Sequence, residues 1–199
     1  MSVKIKHQRI QALQIDGQKR ILASNTNQNK KVIDSASFSA CDAILTSLTV
    51  EKTITRVYVI MWIQKQISLT RKNRGFHLIT DEIYQVLPEL QHLSIGLAHL
   101  LLQHTSAGLT LNENADPSVR EDFERYFNQL APENEPYYTH TYEGPDDMPA
   151  HLKSSLLGAE LTIPITDGEF NLGTWQGIYL CEARDRASER TVIVTIQGQ

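Results

Sequence analysis

The sequence predicts an α+β fold: a compact single domain with a largely antiparallel β-sheet and a few helices. The predicted strands outnumber the predicted helices and follow the order β-α-β-α-α-β-β-β. The last three strands are separated only by Asp-Gly and charged turns, which suit antiparallel neighbours. With 199 residues, of which 41% are hydrophobic, the chain is long enough to bury one good core.

Residues 1–60 differ in composition from the rest of the chain. The stretch from Ile21 to Arg56 is dominated by Ser, Thr, Asn, Lys and Gln, and its apolar residues keep no helical or strand period. Such a segment has little to bury and tends to stay disordered. We therefore predict a weakly ordered N-terminal extension over residues 1–60, followed by the folded domain over residues 61–199.

The first predicted strand runs from Arg56 to Leu69, where β-branched and aromatic residues are dense. Ile63, Ile67 and Leu69 share one parity, as a half-buried strand requires. Lys65 shares that parity too, so the alternation is imperfect.

A short helix and a buried strand are predicted next. Thr80 is placed to cap the helix, and Pro88 bends or ends it. The run "SIGLAHLLLQHT" is continuously apolar until its polar end, which indicates a buried strand that carries His104 to its end. A core helix could give the same run.

The clearest predicted helix follows Asp116, which can cap it, with Pro117 at the first helical position. Its apolar residues recur at i, i+4, i+8 and i+11 and form one stripe: Val119, Phe123, Phe127 and Leu130. The connection "APENEPYYTHTYEGPDDMPAH" is too rich in Tyr and His for a simple linker and could cover a site. A short helix opened by Pro149 and stopped by Gly158 comes after it.

Three further segments indicate strands: "ELTIPI", "TWQGIYLCEA" and "RTVIVTIQ". In the second of these, Gln176, Ile178, Leu180 and Glu182 have the same parity. Glu182 is then a candidate for an inward-facing carboxylate, and a sheet-edge charge that faces water is the alternative.

Charge and cysteine content limit the function classes. The formal net charge of -4 and the pI near 6.0 argue against a protein that grips nucleic-acid backbones. Cys41 and Cys181 stand in no metal-binding or redox spacing. No stretch approaches the roughly 20 apolar residues of a membrane span. We predict a cytoplasmic protein without nucleic-acid or membrane partners.

Three of the seven histidines are candidate metal ligands. His104, His140 and His151 each lie at the edge of an element among polar residues, where sites tend to be assembled. Together with a carboxylate such as Glu182, they would hold zinc or a similar divalent ion and leave a position open for water or substrate. Their spacing matches no compact motif such as HExxH, and structural roles at the strand end and the helix remain open.

Further polar residues could bind a ligand. Asn112 and Glu113 belong to the run "TLNENAD", which could hold a hydroxyl, an amine or a hydrated cation, although such residues also make turns and caps. Positive charge for an anionic ligand could come from Lys153, Arg184, Arg186 and Arg190, although no glycine-rich phosphate loop accompanies them. For each of them alone, a solvated surface role is the favoured interpretation.

Four motifs carry a family resemblance: "GFHLITDEI", "HTSAGLTLNENADPSVREDF", "YEGPDDMPAHLKSSLLGAELTIPI" and "LGTWQGIYLCEAR". The chain from about Met61 to the C-terminus resembles the YjbQ family, whose members are often labelled secondary thiamine-phosphate synthases. Residues 1–60 have no counterpart in that pattern, and Met61 resembles the usual start. We therefore hypothesise that the extension is dispensable for folding. Assignment of the start codon upstream of Met61 would explain why the extension is present.

The resemblance implies a homotrimer whose site lies near subunit contacts. It also implies thiamine-phosphate synthesis, in which a pyrimidine diphosphate loses pyrophosphate and is captured by the nitrogen of a thiazole phosphate. Magnesium would neutralise the leaving pyrophosphate, helped by Lys153 or an arginine. The expected cofactor is a divalent metal, magnesium or zinc. A metal-dependent hydrolase and a non-catalytic ligand-binding trimer are the alternatives.

The expected roles of the individual residues follow from this resemblance and from the patterns above. His104, His151 and Glu113 are predicted to be catalytic, and the predicted metal ligands are His104, His140, His151 and Glu182. Small phosphorylated substrates would contact Lys153, Asn112, Trp175 and Gln176. Trp175 would stack on the pyrimidine, although a plain core position is the alternative.

Overall fold

The computed structural model describes the backbone of residues 3–13 and 58–199, and side chains from Ile60 onward. The predicted extension over residues 1–60 falls mostly outside the described residues and stays a prediction. The described elements, in chain order, are β1 (Val3–Leu13), β2 (Tyr58–Leu69), β3 (Gly75–Leu78), α1 (Thr80–Tyr84), a 3₁₀ helix (Pro88–His92), β4 (Ile95–Leu102), β5 (Ala107–Glu113), α2 (Ser118–Leu130), α3 (Asp147–Leu157), β6 (Glu160–Thr166), β7 (Glu169–Phe170), β8 (Gln176–Glu182) and β9 (Arg190–Gly198).

The strands form two sheets, and each described pairing is antiparallel. The larger sheet has the order β1-β2-β9-β4-β6-β7, and the smaller one has the order β3-β8-β5. The predicted α+β class with antiparallel pairing is confirmed. Two sheets replace the single sheet expected, because β8 pairs with β3 and β5 rather than with the other C-terminal strands.

The main core lies between the two sheets. It joins alternate residues of the larger sheet, such as Ile67 and Val194, to Leu109 and Leu180 of the smaller one. Lys65 faces the same side, and its ammonium group donates to the Val86 carbonyl at 2.8 Å and to Glu89 at 2.7 Å. The imperfect alternation in β2 is thus resolved by an ion pair at the border of the core.

The helices α2 and α3 cover the other face of the smaller sheet. Phe76 of β3 packs against Phe123 and Phe127 of α2, with ring centroids 5.1 and 5.5 Å apart. Leu130, the last residue of the predicted stripe of α2, is 51% exposed and does not join the core. The layers are therefore a large sheet, a small sheet and a pair of helices.

Two predicted caps have different outcomes. The Asp116 carboxylate accepts a hydrogen bond from the Ser118 N–H at 2.8 Å, as a capping residue should. The Thr80 hydroxyl does not cap α1, because it accepts the Ile178 N–H at 2.9 Å and ties the helix start to β8. Among the described residues, no helix has the length and apolar character needed to cross a membrane.

Candidate metal centre

Two histidines and an aspartate converge at the start of α3. His140 comes from the connection between α2 and α3, Asp147 is the first residue of α3, and His151 follows one turn later. Because residues four apart in a helix lie on the same face, Asp147 and His151 point to one side of α3. One ligand atom from each of the three residues lies within 4.8 Å of the others.

The Asp147 carboxylate is buried and only half satisfied. Its Oδ1 accepts a charge-assisted hydrogen bond from Arg184. Its Oδ2 lies 2.8 Å from Nε2 of His140 and 3.7 Å from Nε2 of His151. Neither contact is an aligned hydrogen bond, so this buried oxygen has no hydrogen-bond partner among the described residues. A buried carboxylate oxygen without a donor is costly, and a cation at this point would satisfy it.

The orientation of the His151 ring is set by the backbone. Its Nδ1 lies 3.0 Å from the Thr105 carbonyl oxygen, which can only accept a hydrogen bond. Nδ1 therefore carries the proton in the neutral ring, and Nε2 presents its lone pair towards Asp147. Metal-binding histidines typically donate their second N–H in this way, which fixes the tautomer and the ring orientation.

Arg184, just after β8, holds the start of α3 in place. Its guanidinium donates to Asp146 at 2.9 Å, to Asp147, and to the Glu143 carbonyl at 2.9 Å. Burial acts to raise the pKa of Asp146, but the Asp185 N–H and Arg184 outweigh it and hold that pKa below its usual value. The same guanidinium thus contacts both adjacent carboxylates, Asp146 and Asp147, beside the histidines.

A cleft of about 410 Å³ is lined by His140, but not by Asp147 or His151. His140 is 54% exposed at its side chain, so the group can be reached from solvent. The cleft belongs to the Tyr-rich and His-rich connection that the sequence singled out, and its lining residues include Tyr138, His140, Thr141 and Met148.

His104 and Glu182 lie in a second cluster and do not join the first group. Glu182 faces inward with no exposed surface, and both its oxygens accept from Arg190 at 2.6 Å. His104 contacts Arg190 through Nδ1 at 3.3 Å and accepts the Thr191 N–H through Nε2 at 2.8 Å. The Ser106 hydroxyl accepts from Arg190 at 3.3 Å. Of the four predicted metal ligands, only His140 and His151 belong to the group around Asp147. His104 and Glu182 both contact Arg190 instead.

Lys153 is buried and does not face solvent as a free cation. Its ammonium group donates to the Asn128 side chain at 2.5 Å. Burial lowers the pKa of Lys153, and the nearby Arg74 lowers it further. Lys153 is thus buried against α2 and, within residues 60–199, has no hydrogen bond or ion pair with either cluster.

The remaining predicted site residues lie along β5 and β8. The Asn112 side chain accepts the Glu113 N–H at 2.8 Å, and the Glu113 carbonyl accepts from the Tyr179 hydroxyl. Gln176 accepts the Gly173 N–H at 2.7 Å, and Trp175 is 67% exposed rather than part of the core. These residues are not part of the group formed by His140, Asp147 and His151.

Asp147 is the member of the group that the sequence reasoning missed. The helix was predicted to open at Pro149, whereas α3 begins at Asp147 with the proline inside its first turn. The missed signal is the spacing of Asp147 and His151, which places a carboxylate and an imidazole on one helix face only if the helix starts early.

Comparison with known proteins identifies relatives over the domain. A protein-family model described as "UPF0047 protein YjbQ-like" matches residues 65–199. The UPF0047 protein YjbQ of Escherichia coli O157:H7 is 55% identical over 139 residues, which make up 70% of this chain and 100% of that protein. The UPF0047 protein YugU of Bacillus subtilis is 38% identical over 133 residues, covering 67% of this chain and 96% of that protein.

Solved structures with the same fold support this relationship. An uncharacterized conserved protein of the YjbQ/UPF0047 family from Clostridium acetobutylicum superposes with a TM-score of 0.59 at 39% identity, over 66% of this chain and 98% of that one. A YbjQ-like protein of unknown function from Sulfolobus solfataricus gives a TM-score of 0.62 at 25% identity, over 70% of this chain and 99% of that one.

These relatives overturn the predicted activity. Thiamine-phosphate synthesis is wrong as the function inferred from the resemblance, because the matching proteins carry the UPF0047 designation and the Sulfolobus protein is described as being of unknown function. The family resemblance itself is confirmed, since the family model covers most of the chain. The chain belongs to the UPF0047 YjbQ-like family.

Proposed function

We propose that the protein is a metal-dependent hydrolase of small phosphorylated molecules, with a divalent cation held by His140, Asp147 and His151. One observation carries the proposal: three ligand atoms converge within 4.8 Å around a buried carboxylate oxygen that has no hydrogen-bond partner among the described residues. A partly open cleft adjoins the group and would admit a small substrate.

The donor set favours zinc over magnesium. Two imidazole nitrogens and one carboxylate oxygen are the ligands of many catalytic zinc sites. Magnesium prefers oxygen ligands in an octahedral arrangement and retains most of its waters. Three protein ligands leave a coordination position open, and a divalent cation there would lower the pKa of water to about 7 and polarise a phosphoryl oxygen.

The protein's own residues would prepare the site for that chemistry. The Thr105 carbonyl keeps the His151 Nε2 lone pair directed at Asp147. Arg184 offsets part of the negative charge of Asp146 and Asp147 and fixes the start of α3. The connection that carries His140 also lines the cleft. A substrate bound in the cleft would therefore affect the position of His140 as a metal ligand.

To test the site, the protein is dialysed first against a zinc salt and then against zinc-free buffer. The zinc bound per chain is then measured. We expect about one zinc per chain for the wild type and loss of most of it in His151→Ala and Asp147→Asn, because each removes a ligand. His99→Ala is the matched control, since His99 is a partly exposed histidine whose side-chain contacts, within residues 60–199, are with Glu160 and Thr162. Retention of zinc by both site variants would contradict the proposal.

Activity is measured on the same proteins with p-nitrophenyl phosphate and p-nitrophenyl acetate. Hydrolysis that depends on added zinc and falls at least about 100-fold in His151→Ala would support a hydrolase. Zinc binding without turnover of either compound would contradict the hydrolase and favour a non-catalytic binding protein.

We further propose that the protein assembles as a homotrimer in the cytoplasm. The support for assembly is apolar surface on the outer face of the larger sheet, where Ile95 and Leu97 are 57% and 50% exposed. A contiguous apolar patch on a folded chain commonly marks an interaction surface. The cytoplasmic location continues to rest on the cysteine content of the sequence.

A further inference from the structure

The connection between β4 and β5 carries the carbonyl group that orients His151. Thr105 lies in the middle of this connection and is exposed. Its carbonyl oxygen is 3.0 Å from Nδ1 of His151. An exposed connection is free to move unless its neighbouring residues are held. The direction of this carbonyl therefore depends on the contacts of the residues on either side of Thr105.

His104, the residue before Thr105, completes the last hydrogen bonds between β4 and β9. The register of the two strands places Gln103 opposite Thr191, and opposite residues of an antiparallel pair can exchange both of their N–H···O bonds. The Gln103 N–H donates to the Thr191 carbonyl at 2.9 Å, as in such a pair. The Thr191 N–H, however, donates to Nε2 of His104 at 2.8 Å. The imidazole thus takes the place of a main-chain acceptor where β4 ends.

The bond to Thr191 fixes the tautomer of His104. A backbone N–H can only donate, so Nε2 is unprotonated and the neutral ring carries its proton on Nδ1, which lies 3.3 Å from Nη1 of Arg190. Burial lowers the pKa of His104, and the nearby charge of Arg190 lowers it further, which favours the neutral ring. The Nε2 lone pair is therefore used within the fold and is not free to bind a metal.

The start of β9 also holds the residue that follows Thr105. Arg190 is buried, and its Nε and Nη2 donate to the two oxygens of the fully buried Glu182, both at 2.6 Å. Such a two-point contact fixes the plane of the guanidinium group. Nη2 also donates to the Ser106 hydroxyl at 3.3 Å. The first two residues of β9 thus hold the connection on both sides of Thr105, through His104 and through Ser106.

We propose that His104 is a positioning residue for the metal ligand His151. It binds β9 through Nε2, and this bond holds the Thr105 carbonyl where it accepts the Nδ1–H of His151. Loss of the partner that holds the second N–H of a metal-bound histidine typically weakens metal binding about 10- to 100-fold. The effect on metal binding rests on the proposed function, whereas the orientation of the His151 ring requires no metal.

Two amide variants of the full-length protein test the bond, because they differ in reach. Glutamine places its amide oxygen near the position of Nε2 and can accept the Thr191 N–H, whereas the shorter asparagine reaches only the position of Nδ1. In zinc titrations, we expect His104→Gln to bind within about threefold of the wild type and His104→Asn at least about tenfold more weakly. His77→Ala is the matched control, because His77 also contacts a backbone carbonyl, that of Asn73 at 2.7 Å, and should bind zinc like the wild type.

Spectra of ¹⁵N-labelled histidines separate positioning from a general loss of stability. They are recorded on the zinc-free proteins at about pH 8, where histidines are mostly neutral. We expect the proton of His151 on Nδ1 in the wild type and in His104→Gln. In folded His104→Asn, His151 should show a mixture of both tautomers, because the Thr105 carbonyl no longer holds the proton. This readout requires no metal and therefore tests the inference separately from the proposed function.

Several results would overturn the inference. An unchanged His151 tautomer in His104→Asn would do so even if zinc binding weakened. Equally weak zinc binding in His104→Gln and His104→Asn would show that acceptance from the Thr191 N–H is not what matters. A wild type that binds no zinc would contradict the proposed function, and the tautomers of His151 would then decide the inference alone. If His104→Asn does not fold, the wild-type spectrum decides, and a proton on Nε2 of His104 is equally contradictory.

Discussion

At the scale of single residues, the buried carboxylate of Glu182 depends on one specific ion-pair partner. Its parity in β8 allowed an inward-facing carboxylate, and the structure places it inside with no exposed surface. The sequence could not predict its partner, because Arg190 is the first residue of β9 and reaches Glu182 only through the fold. A buried charge is tolerated when an opposite charge satisfies its oxygens, as Arg190 does here.

Replacing Glu182 by Gln should therefore destabilise the protein strongly. The variant leaves the buried Arg190 guanidinium without its counter-charge, and breaking such a pair typically costs about 3 to 5 kcal/mol of the free energy of unfolding. Urea unfolding measures the change. Glu160→Gln is the control, since Glu160 is exposed and its contact with His99 at 3.6 Å should contribute little. A loss below about 1 kcal/mol for Glu182→Gln would be inconsistent with this account.

The candidate metal centre was predictable only in part, for reasons that also lie in single residues. His140 and His151 were identified because polar surroundings at element edges are visible in sequence. His104 shares those surroundings, but its ring is engaged by Thr191 and Arg190, which are more than 80 positions away in the chain. Contacts of that range depend on sheet pairing and cannot be derived from local pattern.

At the scale of elements, hydrophobic periodicity and helix-capping residues predicted the long strands and the long helix. The strands β2, β4, β6, β8 and β9 and the helix α2 lie where their patterns indicated. The strand β3 has only four residues, too few for a pattern to identify a strand, and β5 follows β4 after a short polar connection that gives no clear turn signal. Without β3 and β5, the second sheet could not be anticipated.

Gly158 links an element boundary to the candidate site. It ends α3 with a φ of 93°, a conformation that strongly favours glycine. Its carbonyl accepts the Leu109 N–H at 2.9 Å, which ties the helix to β5. A Cβ atom added there would meet no atom within 4 Å, so a substitution tests backbone conformation alone.

Gly158→Ala should lower the free energy of unfolding by about 1 to 3 kcal/mol. It should also weaken zinc binding, because a shift of α3 relative to β5 changes the contact between His151 and Thr105. Urea unfolding and zinc titration measure the two effects. Gly173→Ala is the comparison, since Gly173 has no left-handed φ and would meet only a flexible glutamine side chain. Equal stability of both variants would contradict the backbone argument.

At the scale of the whole molecule, the strand β4 supports the proposal that copies of the chain associate. Its continuous apolar run predicted burial, yet in one chain only the face with Ala98, Leu100 and Leu102 is buried. Ile95, Leu97 and Leu101 lie exposed on the outer face of the larger sheet. A strand that is apolar on both faces is typical of a sheet covered on both sides, so a second copy of the chain would complete the burial.

Leu97→Asp should therefore dissociate the proposed homotrimer. A charge at the centre of this face would have to lose its hydration in the interface, which disfavours association while leaving the interior of each chain unchanged. Sedimentation equilibrium should give three times the 22.5 kDa chain mass for the wild type and a single chain mass for the variant. Leu156→Asp introduces the same charge at an exposed leucine of α3 and should remain trimeric. A monomeric wild type, or a trimeric Leu97→Asp, would show that the outer face of the larger sheet is not the surface through which copies associate.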